Sequence, residues 1–503
     1  MVNLDRRCHA LGAVLPTLAW SLLGLATAPL ACDSPRPSHA TPAASAVSLQ
    51  EHPAPLAPAK SSSCQSLKDE LELVLCRSIL ELDRGDPAAV AERFEPGLRR
   101  ALSTTRLAAV WSEKTAELGD LVAVRPLSTT LARDGSRVQL RAQFSRGERL
   151  VEGVVRFSGA IGALAIGPVP QAWTPPPYAR PEEFDEREIT IGREPALPGR
   201  LTVPKHGNTM PAFVFAHGSG LIDEDCSSHI SGLGSKLCKD LAWGLSSRGI
   251  VVLRFRKRSL VDPRPLVDLD QEVVGDVCAA RQLLASLPEV DAERIVLVGH
   301  SLGGALAPRI ANTCDGFAAL VLLSAPARPM LDVLTGQVAY VGWRSGYPEL
   351  TPDRVEALHA AADRVFLAGA DPSEEIDLLG SAAPRSYWRD CLTLEPTKQI
   401  ARVRRPIFVI QGERDYQVGL ADFDRWRKAL SGRKDVLFKR YPGLDHVLAE
   451  GTGLSSHYDY YLARNVASEV VDDIARWIGT RGWPTSRSRH ADAENTRDRP
   501  PAL

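Results

Sequence analysis

Apolar and polar positions divide this chain into regions with different periodicities. From about residue 187 onward, short β-branched runs alternate with amphipathic stretches. The runs include Pro211-Ala212-Phe213-Val214-Phe215-Ala216, Ile250-Val251-Val252-Leu253-Arg254-Phe255, Ile295-Val296-Leu297-Val298, Ala319-Leu320-Val321-Leu322-Leu323-Ser324, Pro406-Ile407-Phe408-Val409-Ile410-Gln411 and residues 435–441. Continuous runs of this length read as strands covered on both faces, and helical stretches between them, such as 272–284, imply a parallel sheet. Arg187-Glu188-Ile189-Thr190-Ile191 and Arg200-Leu201-Thr202-Val203 read as a hairpin that opens the region. A last helix is predicted over 466–478, with the acidic-basic stretch 421–430 as an earlier one. Over about 327–396 the pattern lapses into Leu- and Ala-rich helical sequence, which predicts a cap inserted over one end of the sheet.

Upstream, Leu67, Leu71, Val74, Leu75 and Ile79 recur at helical spacing, as do Leu107, Val110 and Trp111. Residues 137–144 then alternate as a half-buried strand, with 150–157 and 163–166 available to pair with it. This predicts a small α+β accessory domain over 64–172. The Pro-rich stretch 173–186, beginning Trp173-Thr174-Pro175-Pro176-Pro177-Tyr178, reads as a stiff linker to an α/β domain over 187–483. The small domain has no acid–base constellation of its own, and its expected role is positioning or shielding.

Length and charge narrow the picture further. The 503 residues exceed one ordinary domain, and 44% hydrophobic residues suffice for a buried core. The 60 basic residues are balanced by 61 acidic ones, so no basic excess points to nucleic acid or to a polybasic membrane contact. Arg6 and Arg7 precede an apolar stretch over 10–30 that Pro16 and Pro29 interrupt, which predicts a cleaved export signal over 1–32. Leu30-Ala31-Cys32 is similar to a bacterial lipoprotein cleavage site. A lipidated Cys32 would tether the chain to a membrane of the cell envelope or periplasm; an ordinary export signal with an incidental cysteine is the rival. Residues 33–63, rich in Ala, Pro and Ser, read as a disordered tether, and 484–503 as a disordered tail.

Nine cysteines remain to be placed. Setting aside Cys8 and Cys32 leaves Cys64, Cys76, Cys226, Cys238, Cys278, Cys314 and Cys391. Proximity suggests Cys64–Cys76 and Cys226–Cys238, although spacing does not settle connectivity. No CxxC motif or histidine cluster suggests a metal.

Gly299-His300-Ser301-Leu302-Gly303 follows the run 295–298 and precedes helix-forming sequence. A strand, a G-x-S-x-G turn and a helix hold a serine hydroxyl above the edge of a parallel sheet, as a nucleophile. Such a serine needs a histidine to take its proton and a carboxylate to orient that histidine. Asp415, in the loop after 406–411, is the candidate acid, and His446, in Pro442-Gly443-Leu444-Asp445-His446 after 435–441, the candidate base. Asp422 and Asp424 fall within a predicted helix, and His457 has no strand leading into it. An oxyanion hole is expected from the Leu302 amide and from His217-Gly218-Ser219-Gly220, with Ser219 the second donor and Gly220 behind it.

With these residues, the chain resembles a bacterial family of secreted or lipid-anchored α/β-hydrolases of the serine esterase and S33 aminopeptidase-like kind, preceded by an accessory domain of the DUF3887 kind. The resemblance covers roughly 65–480. It also rests on Asp240-Leu241-Ala242-Trp243-Gly244-Leu245, Ala307-Pro308-Arg309-Ile310 and Gln411-Gly412-Glu413-Arg414-Asp415-Tyr416-Gln417-Val418. It implies an α/β-hydrolase fold with a helical cap, hydrolysis of small-molecule carboxylic esters with small acyl groups, and no cofactor. The chain departs from the pattern at Asp445, where Asn is expected, and over 221–238. Within that segment Asp223, Glu224 and Asp225 would suit a free-amine pocket, so an aminopeptidase or amidase on the same residues is the nearest rival, and a non-catalytic binding lipoprotein the next. Trp343, Tyr347, Tyr387 and Trp388 are candidate acyl-pocket or cap-packing residues. Oligomeric state is left open.

Overall fold

The computed structural model describes residues 64–480, except 65, 66, 68, 133, 193, 228–234, 263, 345–350 and 379. The expected signal, Cys32, the tether, the tail and Tyr347 lie outside the described residues. Two compact units divide after Gly167.

In the smaller unit, helices Glu70–Asp83, Pro87–Glu92, Pro96–Ala101 and Thr104–Thr115 precede a four-stranded antiparallel meander. Its strands are β1 (Leu121–Ala132), β2 (Gly135–Phe144), β3 (Gly147–Arg156) and β4 (Ile161–Gly167). Asp69 caps the first helix by accepting from the amides of Leu71 and Glu72 at 2.8 and 3.3 Å. The sequence pattern anticipated β2, β3 and β4 but not β1. As an edge strand β1 buries Leu121 and Val124 yet exposes Val122, Leu127 and Leu131, and its register shifts beside Pro126, so no alternation survives to be read.

The larger unit is built on an eight-stranded sheet in the order β14-β13-β10-β9-β7-β8-β6-β5. The strands are β5 (Phe184–Ile191), β6 (Leu197–Pro204), β7 (Met210–Ala216), β8 (Val251–Phe255), β9 (Val290–His300), β10 (Ala319–Leu323), β13 (Ile407–Gly412) and β14 (Val436–Tyr441). Only β6 runs against its neighbours; the ladders from β8 to β14 are parallel. Both faces are covered, which explains the unbroken apolar runs. Along β9, Ile295 and Leu297 enter one core with helices Gly275–Ala285 and Leu302–Thr313. Val296 and Val298 enter the other, with helices Leu237–Ser246 and Ser468–Gly479.

The insertion after β10 contains helices Met330–Arg344, Thr351–Val365 and Arg385–Leu392, as the pattern predicts. It also contains a short hairpin of β11 (Glu375–Leu378) and β12 (Ser381–Pro384) that a purely helical reading misses. Four residues per strand are too few for a periodic signal. The hairpin is fixed instead by Trp388, whose indole donates to the Ile376 carbonyl at 2.9 Å.

Disulfides join Cys64–Cys76 and Cys226–Cys238, the two proximal pairs, and also Cys278–Cys314. The third links the helix Gly275–Ala285 to the residue after the helix Leu302–Thr313, a contact made by folding rather than by closeness in sequence. Cys391 is free and buried. With a sequence separation of 36, the Cys278–Cys314 bridge stabilises the fold by about 4 kcal/mol if it acts by restricting the unfolded chain. Urea unfolding of a Cys278→Ala/Cys314→Ala variant should register a loss of about that size; a loss below about 1 kcal/mol would contradict the entropic account.

Candidate active site

Ser301 sits between β9 and the helix Leu302–Thr313 with φ 53° and ψ −125°, a left-handed conformation that a residue with a side chain rarely holds. Neighbouring backbone imposes it. A Cβ on Gly303 would lie 2.0 Å from the Ala216 carbonyl oxygen, and one on Gly299 would lie 2.4 Å from the Gly303 carbonyl oxygen. Both obstacles are main chain and cannot yield. The Ser301 amide donates to the Leu323 carbonyl at 3.0 Å, tying the turn to the end of β10.

Asp415 follows β13 and His446 follows β14, two adjacent parallel strands, so their loops emerge at the same sheet edge. The His446 Nδ1 to Asp415 Oδ2 distance is 2.8 Å, and both side chains are buried. The other carboxylate oxygen accepts from the amides of Gln417 and Val418 at 2.8 and 3.0 Å. Gln411, which the 411–418 motif includes without assigning it a role, donates from Nε2 to Asp415 Oδ2 at 3.1 Å and to the Val418 carbonyl at 2.9 Å. A carboxylate held on every side keeps its place and fixes the orientation of its histidine. Ser301 Oγ makes no hydrogen bond to His446 among the described residues; in free enzymes that contact commonly tightens only with substrate.

His300 brings the serine and histidine loops together. Its Nε2 lies 2.9 Å from the His446 carbonyl oxygen and its ring centroid 4.7 Å from that of His446. A carbonyl only accepts, so this nitrogen carries the proton. Burial, together with the neighbouring His446, pushes the His300 pKa down to about 3. His217, edge-on to Phe255 at 4.8 Å, is likewise pushed to about 3 by burial and the Lys257 charge. Asp445, in place of the expected Asn, is buried and pairs with Arg464 at 2.7 Å while accepting from the amides of Val447 and Ala449.

The segment 217–220 follows β7 and lies against the elbow: a Cβ on Gly218 would be 3.3 Å from Ser301 Cβ. Ser219, Gly220, Ser301 and Leu302 form the floor of a cleft of about 590 Å³, its open mouth included. Met330, Val333, Leu334, Tyr387 and Trp388 of the inserted region form its roof. Trp343 is exposed and takes no part in this lining.

The acidic segment is spoken for. Asp225 pairs with Arg254 and, at 2.7 Å, with Lys236; Glu224 pairs with Arg256 at 2.7 Å. Asp223 accepts from the amides of Asp225 and Ser227. None of the three lines the cleft. Of the rival candidates, Asp422 is buried and accepts from the amides of Ala327 and Arg328 at 2.8 Å each, while Asp424 is exposed. His457 lies in the 3₁₀ turn His457–Tyr461, ring against Tyr458.

The chain belongs to the alpha/beta hydrolase family, whose sequence profile matches residues 213–475. Esterase EstD of Thermotoga maritima is 31% identical over 402 residues, covering 77% of this chain and 92% of the relative. Among solved structures, the esterase domain of a Rhodothermus marinus protein is 20% identical with a TM-score of 0.36, covering 58% of this chain and 97% of that one. Est1E of Butyrivibrio proteoclasticus, solved with ferulic acid, is 16% identical with a TM-score of 0.39, covering 58% and 100%.

The two neutral histidines give the fold a defined acid response. Between their ordinary value of 6.5 and about 3, the unfolded chain takes up protons at these positions and the native chain does not. Their contribution to stability is therefore complete above pH 6.5 and falls as pH drops toward 3, by about 1.4 kcal/mol per pH unit for each histidine. In urea unfolding from pH 4.5 to 6.5, where buried Asp240, raised to about 6, acts with the opposite sign, His217→Gln should lower the slope relative to the wild type by about one proton. An unchanged slope would refute the assignment of His217 as a buried neutral imidazole.

Proposed function

We propose that this protein is a serine hydrolase of carboxylic esters with small acyl groups, working through an acyl-enzyme. The observation that carries the proposal is the 2.8 Å His446–Asp415 contact beside a serine held in the left-handed turn of an elbow. In this reading Ser301 Oγ attacks the ester carbonyl carbon as His446 Nε2 takes its proton. Asp415 keeps Nδ1 protonated and steadies the imidazolium. The amides of Leu302 and Ser219 receive the oxyanion. His446 then protonates the departing alkoxide, and a water deprotonated by His446 attacks the acyl-enzyme to release the acid and free Ser301. The membership in the alpha/beta hydrolase family and the 31% identity to an esterase support the same reading. The mostly apolar, uncharged lining of the cleft suits a short uncharged acyl group.

An aminopeptidase would need an unpaired carboxylate to receive a substrate ammonium. Asp223, Glu224 and Asp225 are committed to arginine, lysine and backbone amides, which favours the ester reading. We further propose export to the cell envelope, with residues 1–32 as the signal and Cys32 as a lipid attachment point. Three disulfides among the described residues support an oxidising compartment.

Labelling of the mature protein with a fluorophosphonate, followed by peptide mapping, tests the assignment. Modification should be confined to Ser301 and absent in His446→Ala, and Ser301→Ala should lower kcat on p-nitrophenyl acetate by at least about 10⁴-fold. Alanine p-nitroanilide should be left intact. Labelling elsewhere would overturn the site, and preferential cleavage of the anilide would overturn the ester preference.

A further inference from the structure

One buried cation bonded to the segment beside the elbow has no part in the scheme above. Lys257, just after β8, is almost fully buried, and its Nζ donates to the Gly218 carbonyl at 2.9 Å. The same ammonium lies 2.9 Å from Glu272 Oε1, equally buried. Glu272 Oε2 accepts from the Tyr387 hydroxyl at 2.8 Å, and Tyr387 belongs to the helix Arg385–Leu392 that roofs the cleft. Two further bonds run the same way: the Lys257 amide donates to the Ile222 carbonyl at 3.0 Å, and Ser259 Oγ to the Gly220 carbonyl at 3.4 Å. Residues 257–259 thus hold three carbonyls of the segment 218–222.

Stability alone does not call for such an arrangement. A buried ion pair is commonly neutral or unfavourable relative to apolar residues of the same size. What distinguishes Lys257 is the peptide it touches. The Gly218 carbonyl and the Ser219 amide belong to one planar trans unit and point in opposite directions. An ammonium on the carbonyl side fixes the plane and turns the Ser219 N–H away from Lys257. Withdrawing electron density from the carbonyl also makes that N–H a stronger donor, as it does along any hydrogen-bonded chain in a low-dielectric interior.

We infer that Lys257 is a positioning residue for the oxyanion hole, acting through the Gly218 carbonyl on the Ser219 amide, and that Glu272 ties it to Tyr387 of the cap. The inference rests on the esterase reading. It makes the donor geometry depend on the cap being seated, because the cap hydroxyl and the oxyanion peptide share one carboxylate–ammonium pair.

The test is the double variant Lys257→Met/Glu272→Gln, which removes both charges together and leaves neither unpaired. With p-nitrophenyl acetate, kcat per titrated active site should fall about 10- to 100-fold, less than the 10²–10³ of losing an oxyanion donor outright, while KM stays within about twofold. Affinity for a trifluoromethyl ketone, whose serine adduct places an oxyanion in the hole, should fall by the same factor as kcat. A folded variant with unchanged kcat overturns the inference, as does a loss shared with KM or not matched by the ketone. If the double variant fails to fold, Tyr387→Phe decides: it keeps the ion pair, and kcat should drop about two- to fivefold, an unchanged kcat overturning the proposal. Wild-type enzyme separates the two levels. If it neither labels at Ser301 nor hydrolyses the acetate, the esterase reading fails and this inference falls with it. If it does both and the variants keep their kcat, only the role of Lys257 fails.

Discussion

Everything at the sheet edge depends on how closely two backbones approach at Gly303. The helix Leu302–Thr313 lies so near the end of β7 that a methyl group on Gly303 would collide with the Ala216 carbonyl. That approach forces the turn to be sharp, and the sharp turn puts Ser301 in the left-handed region. Strain of this kind costs on the order of 1–3 kcal/mol and persists only where its surroundings determine it. Here those surroundings are the two apolar layers on either side of β9, whose side chains alternate between them, and the hydrogen bond from the Ser301 amide to Leu323.

The polar groups around the elbow follow a second rule: each buried charge has a partner, and each buried imidazole near the serine other than His446 is neutral. Asp445 has Arg464, Asp225 has Arg254 and Lys236, and Lys257 has Glu272. His217 and His300 are pushed to about 3. The consequence is that the two other buried imidazoles near the Asp415–His446 pair stay neutral near neutral pH. Protonation of those two histidines is pushed into the acid range, where it weakens the fold.

Much of this is legible in the sequence. Strands covered on both faces are written as unbroken apolar runs, so β7, β8, β9, β10 and β13 are legible; the edge strand β14, half-exposed and broken by Lys439 and Arg440, is legible from its Val436-Leu437-Phe438 start, and with these strands come the loops that carry Ser219, Ser301, Asp415 and His446. The groups that were not legible owe their roles to contacts far apart in sequence. Gln411 looks like the last residue of a strand, and only the fold turns its amide onto Asp415. Lys257 reads as one basic residue in Arg256-Lys257-Arg258, yet its neighbours pair at the surface or with Asp276 while it alone is buried against the Gly218 carbonyl. Cys278 and Cys314 meet only because two helices pack side by side on one face of the sheet. Strand β1 and the β11–β12 hairpin fail for a different reason: an edge strand with exposed apolar residues and two four-residue strands carry no readable period.

The same accounting of charges bears on what the cleft accepts. Its lining is mostly aliphatic and aromatic, with the neutral polar groups of Ser219, Ser301, Gln337 and Ser381, and among the described residues no carboxylate or ammonium lines it. In the charged segment 223–225, close in sequence to residues 217–220, Asp225 pairs with Arg254 and Lys236, Glu224 pairs with Arg256, and Asp223 accepts from the backbone amides of Asp225 and Ser227. A substrate whose acyl part carried a full charge would enter without a counterion, and desolvating it there would cost several kcal/mol. A neutral acyl group pays no such penalty and gains apolar contact with Met330, Val333 and Leu334. Under the proposed function, the absence of a charged partner favours neutral acyl groups, and the helix Arg385–Leu392, whose Tyr387 is anchored through Glu272, contributes Tyr387 and Trp388 to the lining that such a group would meet.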